Sequence, residues 1–225
     1  MTCEEREAFF SERFPFFSEL DGELRGQLCR GAVSLTLSRG EVVCGMRGRC
    51  IGLLLPTRGR ARAFIRSAEG REITLCRPGA GDVFVMPASG LFGIGDYDVT
   101  LECESYLEAE LLPPAETAAL IAAARDAEVF LLRKSVLWVS AAMRATCDML
   151  LRSLEARLAA FLLAEIARHG GDTVYLTQEE LARHIGSARE AVSRTLKVLA
   201  ARGLLVVLHG GVRLTDPLAL RALCT

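Results

Sequence analysis

The chain has 225 residues, 51% of them hydrophobic, and 27 Lys and Arg against 28 Asp and Glu give a net charge of −1. That is long and apolar enough for two packed cores, and it excludes a disordered or fibrous protein. Residues 176–225 hold seven basic and four acidic side chains while residues 1–175 hold twenty and twenty-four, so a polyanion would meet the C-terminal part. The excess is small, which leaves affinity to placed contacts and dimerisation, with binding that weakens as salt rises.

No charged-then-apolar leader opens the sequence, and no apolar run nears the ~20 residues that span a bilayer, so a cytoplasmic protein without membrane contact is expected. The cysteines, Cys3, Cys29, Cys44, Cys50, Cys76, Cys103, Cys147 and Cys224, include no C-x-x-C pair. Neither a metal site nor a disulfide framework is expected, and most are read as small buried hydrophobes in a reducing compartment.

In chain order, Thr2 with Glu5 forms a capping box for a first helix, and Asp21 caps a second running towards Arg30. Short apolar or alternating stretches broken by glycine follow: Val33–Leu37, Glu41–Cys44, Ile51–Leu55, Ala61–Ile65, Arg71–Cys76, Asp82–Val85, Tyr97–Cys103 and Leu107–Leu112. Eight strands at such spacing predict a sandwich or roll. Arg71 and Glu72, after the turn at Gly70, are read as a solvated charge pair or as facing a ligand or partner subunit.

From Pro114 nothing breaks a helix until Ser153. Val129, Leu132, Val136, Val139, Met143, Thr146 and Leu150 recur at steps of three and four, a coiled-coil seam that asks for a partner helix. Phe130, Leu137 and Trp138 widen the apolar surface and can pack on the β segment. Ser153 caps the next helix, Leu154–Ile166, which Gly170, Gly171 and Asp172 close, and Val174–Leu176 reads as a short strand.

Two short helices then flank Gly186. Thr177 with Glu180 makes a capping box for the first, whose apolar face is Leu181, Ala182 and Ile185; Ser187 with Glu190 repeats the pattern for the second. Ala191, Val192, Thr195, Leu196 and Leu199 face the core of that second helix, leaving Arg189, Glu190, Ser193, Arg194 and Lys197 outward. Gly203 ends it as a C′ residue, and Leu204–Leu208 with Val212–Leu214 make a hairpin around His209 and its glycines. This is a winged helix-turn-helix. Arg can pair with guanine in the major groove and Glu can accept from cytosine, so the charge placement fits base reading.

At these residues, above all Gly186-x-x-Arg-Glu-x-Val-x-Arg194, the sequence resembles the CRP/FNR family of bacterial transcription regulators, and the order of the whole chain follows that family. The resemblance implies an α+β protein: a β-roll sensor domain like cyclic-nucleotide-binding domains with flanking helices over residues 1–123, a long dimerisation helix over 124–152, and a winged helix-turn-helix domain over 153–225. It implies a homodimer on double-stranded DNA at a palindromic promoter site with TGTGA-like arms, and possible contact with RNA polymerase. Arg189, Glu190 and Arg194 would read bases; Thr177, Gln178, Ser187, Ser193 and Lys197 would hold the DNA backbone.

Family members that bind cyclic nucleotides carry Gly-Glu-Leu and, some ten residues on, an Arg that neutralises the phosphate. Counted from Gly81-Asp82, those places hold Val85-Met86-Pro87 and Asp96-Tyr97, which argues against cyclic AMP. The cysteine spacing does not supply an iron–sulfur cluster, and His169, His184 and His209 all follow the long helix, so haem in the roll is excluded. No cofactor is expected. Phe84, Met86, Ser89, Phe92, Asp96 and Tyr97 read either as a pocket for a small apolar or aromatic effector or as filling of the roll. A thiol switch at Cys76 or Cys103 is a further option.

The function expected is therefore a DNA-binding transcription regulator answering a small-molecule or redox signal at the roll. The alternatives are a ligand-responsive module acting through protein contacts and a constitutive DNA-binding protein. With no nucleophile elbow, P-loop or metal-ligand spacing, no enzyme and no catalytic residue is expected.

Overall fold

The computed structural model describes residues 1–44, 52–68, 70, 72–86 and 99–224, and they form two compact units. One comprises Met1–Ile65 with Leu75–Ala142, the other Arg66–Thr74 with Met143–Thr225.

In the first unit, helix α1 (Cys3–Arg13) starts at Thr2, whose hydroxyl accepts from the Glu5 N–H while the Glu5 carboxylate accepts from the Thr2 N–H at 2.7 Å. After a 3₁₀ turn at Phe17–Glu19, α2 (Gly22–Gly31) is capped by Asp21. Among the described residues eight strands follow: β1 (Val33–Leu37), β2 (Val42–Cys44), β3 (Gly52–Arg58), β4 (Ala61–Arg66), β5 (Glu72–Cys76), β6 (Phe84–Met86), β7 (Val99–Cys103) and β8 (Leu107–Leu112); Arg66 of β4 and Glu72–Thr74 of β5 are counted with the second unit. They make two four-stranded sheets, β1-β8-β3-β6 and β2-β7-β4-β5. The ladders whose registers are known run antiparallel, with β1 lying on β8 from Val33↔Leu111 to Leu37↔Leu107.

The continuous apolar run in β3 follows from the two-residue period of a strand. Leu53 and Leu55 join Phe10, Phe14, Phe17 and Leu28 in a core under the helices. Leu54 points the other way, into a core with Phe84, Leu101 and Leu107. β6 divides in the same manner, Val85 to the first core and Phe84 to the second. Glu110, 2% exposed, is carried in β8 by a tight pair with Arg6 at 2.9 Å and by the Ser34 hydroxyl. A buried carboxylate needs such partners.

The helical run from Pro114 is not continuous as expected. It breaks at Ala124 (φ −142°, ψ 118°) into α3 (Pro114–Ala123) and α4 (Arg125–Leu151). Neither proline nor glycine marks the break; Ala124 adopts extended backbone, and with Ala127, Leu131 and Phe130 it belongs to the core under the helices. Phe130 meets Phe14 and Phe16 edge-on at 5.9 and 5.7 Å. Trp138 meets Phe84 edge-on at 4.8 Å and donates from Nε1 to the Val83 carbonyl at 3.1 Å. Leu137, expected to pack beside them, is 60% exposed instead, because its position on the helix turns it from the face that carries Leu131 and Trp138.

In the second unit, α5 (Leu154–His169) begins at Ser153, whose side chain accepts from the Ala156 N–H at 3.1 Å. Then come β9 (Thr173–Val174), α6 (Gln178–Ile185), α7 (Arg189–Ala201), the hairpin β10 (Leu205–Leu208) and β11 (Gly211–Leu214), and α8 (Pro217–Ala222). β9 lies two residues earlier than the Leu176 limit expected, because its register is set by β11, where Val174 faces Val212 and Thr173 faces Arg213. A core of Leu158, Leu162, Leu181, Val192, Leu196, Leu199 and Leu205 joins helices and hairpin. No helix among the described residues is long and apolar enough to cross a membrane.

Candidate nucleic-acid interface

The helix-turn-helix is built from both ends. Thr177 accepts from the Glu180 N–H at 3.2 Å and its own N–H donates to the Glu180 carboxylate at 2.8 Å, which fixes the start of α6. Gly186 ends α6 in the left-handed region (φ 64°, ψ 46°), where glycine alone pays no steric penalty. The Ser187 N–H then reaches back to the Ala182 carbonyl at 2.9 Å, a reversal of the kind that commonly closes helices.

That reversal corrects the expected start of α7. Its N-cap is Ala188, with no side-chain cap, so no capping box joins Ser187 to Glu190. Residues 186 and 187 are used in closing α6, and the chain enters α7 one residue late.

Two further side chains hold the turn. Arg157 of α5 donates from Nη1 to the Ile185 carbonyl at 2.7 Å, and Thr74 donates to the Arg183 carbonyl at 3.4 Å. The His184 ring stacks on Phe161 with centroids 4.9 Å apart. A cavity of about 260 Å³ opens beside them, lined among others by Ile73, Asp148, Met149 and His184. Sequence reasoning missed the roles of Arg157, Thr74 and Phe161, since only their tertiary placement brings them to the turn.

Along α7, Val192, Leu196 and Leu199 are fully buried. Arg189, Glu190, Arg194 and Lys197 are exposed and Ser193 is half-buried. At about 100° per residue these five side chains fall within an arc of about 140°. Ala191 and Thr195, expected in the core, are only half-buried, and Thr195 donates to the Ala191 carbonyl of its own helix at 3.0 Å.

Of the side chains expected on the DNA backbone, Thr177 lies exposed, but its hydroxyl is engaged by Glu180 Oε2 at 2.9 Å. Gln178 and Ser187 are half-buried. The hairpin exposes Val206, Val207, Leu208 and His209, and Arg213 stands exposed on β11; Arg213 is a cation that the sequence reading did not single out.

The expected dimer seam is open. Leu132, Val136, Val139, Met143 and Leu150 are 41, 62, 55, 63 and 73% exposed. Thr146 is also exposed and Val129 half-buried. A lone helix with that stripe leaves apolar area in water that a second copy can cover.

Of the effector candidates, Phe84 is 2% exposed and packed into the roll core. Ser89, Phe92, Asp96 and Tyr97 lie outside the described residues, as do Arg71 and the side chain of Met86. Glu72 pairs with Arg66 at 2.6 Å.

Among the described residues the cysteines depart from the expected burial. Cys29 and Cys103 are buried, Cys76 and Cys224 half-buried, and Cys3 and Cys147 exposed. Burial, ahead of Asp82, pushes the Cys76 thiol up to about 12, and burial, ahead of Glu41 and Glu102, pushes Cys103 up to about 11. A thiol held protonated is a poor nucleophile, so neither residue is placed to react first with an oxidant. Among the described residues no three His, Cys, Asp or Glu gather as metal ligands.

These features are similar to those of known proteins. Residues 156–223 match the model of the Crp-like helix-turn-helix domain. The nitrogen fixation regulation protein FixK of Bradyrhizobium diazoefficiens is 37% identical over 79 residues, which cover 32% of this chain and 33% of FixK; the match thus spans a third of that relative's length. A CRP/FNR-family protein from Eubacterium rectale superposes with a TM-score of 0.89 at 26% identity, covering 95% of this chain and 99% of that one. FixK2 from Bradyrhizobium japonicum superposes with a TM-score of 0.70 at 18% identity over 86% and 98% of the two chains, a likeness of fold.

Proposed function

We propose that the chain is a homodimeric, sequence-specific DNA-binding transcription regulator of the CRP/FNR type, a reading supported by its match to the Crp-like helix-turn-helix model and its likeness to the Eubacterium rectale protein. The exposed arc of α7 carries the proposal. In it two arginines, a glutamate and a lysine project from a helix whose opposite side is locked into a core.

In this reading Arg189, Glu190 and Arg194 enter the major groove and read base edges, Arg as a bidentate donor to guanine and Glu as an acceptor from cytosine. Gln178, Ser187, Ser193 and Lys197 meet phosphates and set the register. Thr177 contributes through its capping of α6, with its hydroxyl already held by Glu180.

The seam from Val129 to Leu150 pairs with the same seam of a second copy. Two recognition helices then face successive major grooves, and the target is a palindrome with half-sites one helical turn apart. A signal at the roll shifts how the two long helices pack. The route lies through Trp138, which is tied to Val83 and Phe84 of the roll. Cyclic AMP is not the signal in this reading, since by sequence count Asp96 falls where the resemblance calls for an Arg; a small apolar or aromatic molecule fits the composition better. RNA polymerase is the partner on DNA if the protein activates.

A mobility-shift titration with the DNA upstream of the protein's own reading frame tests this. A shifted complex of one dimer per site, lost on Arg189→Ala, is expected. Equal affinity for any competitor DNA of the same length would contradict it.

A further inference from the structure

The extended residue Ala124 separates the end of α3 from the start of α4. Beside that joint lies a cavity of about 370 Å³, bounded on its other side by the 3₁₀ turn and the start of α2. Its floor is apolar. Phe16 and Leu20 are 6 and 8% exposed and belong to the core under the helices, and half-buried Leu24 and Ala124 pack against that core. Glu19, Asp21, Asp126 and Arg125, all exposed, supply the charged part of the lining. Two of these carboxylates answer helix starts: Asp21 accepts from the Glu23 N–H at 2.9 Å as the cap of α2, and Asp126 lies in the first turn of α4. Each helix start presents about half a positive charge. With Arg125 they offset two of the three carboxylates, so about one negative charge is left over. Glu19, on the 3₁₀ turn, answers neither α-helix, and no ion pair engages it among the described residues.

We propose that this cavity binds a small organic ammonium ion with a compact apolar body, the charged end at Glu19 and the body on Phe16, Leu20 and Leu24. Charge and lining together select that class. An anion meets a mouth that is already negative, and an uncharged apolar molecule leaves Glu19 unanswered. A compact divalent ion has no cage here, because among the described residues no three His, Cys, Asp or Glu gather as metal ligands. A larger cation can cover the apolar floor and still keep its charge at the solvent edge, where an ammonium group loses little hydration. The volume lies near the lower end of the range of ligand pockets, about 300–1,000 Å³, and suits a one-ring amine. Such a molecule touches the last residue of α3, the first turn of α4 and the start of α2 at once. It therefore braces the joint from which the seam helix sets out. Occupancy of the cavity does not depend on DNA binding and is read without it.

The test is an NMR titration of the full chain with 2-phenylethylamine, which carries its proton at neutral pH as a Lys amine does, beside the neutral 2-phenylethanol and the anionic 3-phenylpropionate. Progressive amide shifts at Leu20, Leu24 and Ala124 are expected, with a Kd for the amine on the order of 1 mM or below, weaker binding of the alcohol and none of the acid. Glu19→Gln should weaken the amine roughly two- to fivefold and leave the alcohol unchanged, while Arg125→Gln should tighten the amine. The two exposed variants move the affinity in opposite directions, which a damaged fold cannot do. No shift at those three amides with amine up to about 10 mM, equal affinity for amine and alcohol, or a Glu19→Gln protein that binds the amine as tightly as the parent would overturn the proposal.

Discussion

The turn between α6 and α7 offers a measurable consequence of its geometry. Gly186 and Gly203 both sit at positive φ, 64° and 75°, but a Cβ at Gly186 would lie 3.2 Å from Met149 Sδ, whereas one at Gly203 would meet nothing within 4 Å. Left-handed backbone costs an L-residue about 1–2 kcal/mol. Gly203→Ala should lose that amount alone, and Gly186→Ala the same plus a few tenths for displacing a flexible methionine. For a chain of this size about 1–2 kcal/mol lowers the melting temperature by roughly 2–8 °C. Asn tolerates left-handed backbone but carries a Cβ, so Gly186→Asn isolates the contact from the backbone cost and should recover most of the loss. Thermal and urea unfolding followed by circular dichroism give all three values. A Gly186→Ala protein as stable as the parent would refute the left-handed turn, and with it the placement of α7.

Other consequences are as direct. Arg189→Ala should cost about 1–3 kcal/mol per half-site and relax preference at one base pair, read by competitive mobility shifts on single-base variants of the site. Lys197→Ala should weaken binding to every sequence alike and lower the slope of log affinity against log salt by about 1 per half-site. Val136→Glu with Val139→Glu should yield a monomer by analytical ultracentrifugation while leaving the helical signal intact, since both side chains are already exposed within one chain. Stability should also fall above pH 9. Cys76 and Cys103 stay protonated in the native state up to about 12 and 11, while the unfolded chain releases those protons near its ordinary thiol value. The unfolded state therefore binds fewer protons over that window and gains as pH rises. Cys76→Ala with Cys103→Ala should flatten this part of a stability curve measured by urea titration.

Patterns confined to a few neighbouring residues were legible in the sequence. Thr2 with Glu5, Ser153 and Thr177 with Glu180 cap where expected, and β1 and β8 have the expected limits, because a capping oxygen and a two-residue apolar alternation act over a handful of positions. Expectations failed where a distant partner decides. Ser187 looks like an N-cap, but its N–H is taken by Ala182; Ala124 breaks a run of good helix formers; and β9 starts early because β11 sets its register. The outward face of α7 was readable from helical periodicity. The side chains that hold its turn, Arg157 and Thr74, are 28 and 109 positions from the carbonyls they meet, and no local signal announces them.

Selection of binding sites from a random duplex pool by the full-length protein tests the central claim most directly. The account predicts enrichment of an inverted repeat whose G·C-containing half-sites stand one helical turn apart, about 34–36 Å, bound by one dimer. A pool that stays random after repeated rounds, or that converges on a single unrepeated half-site bound by a monomer, would contradict it.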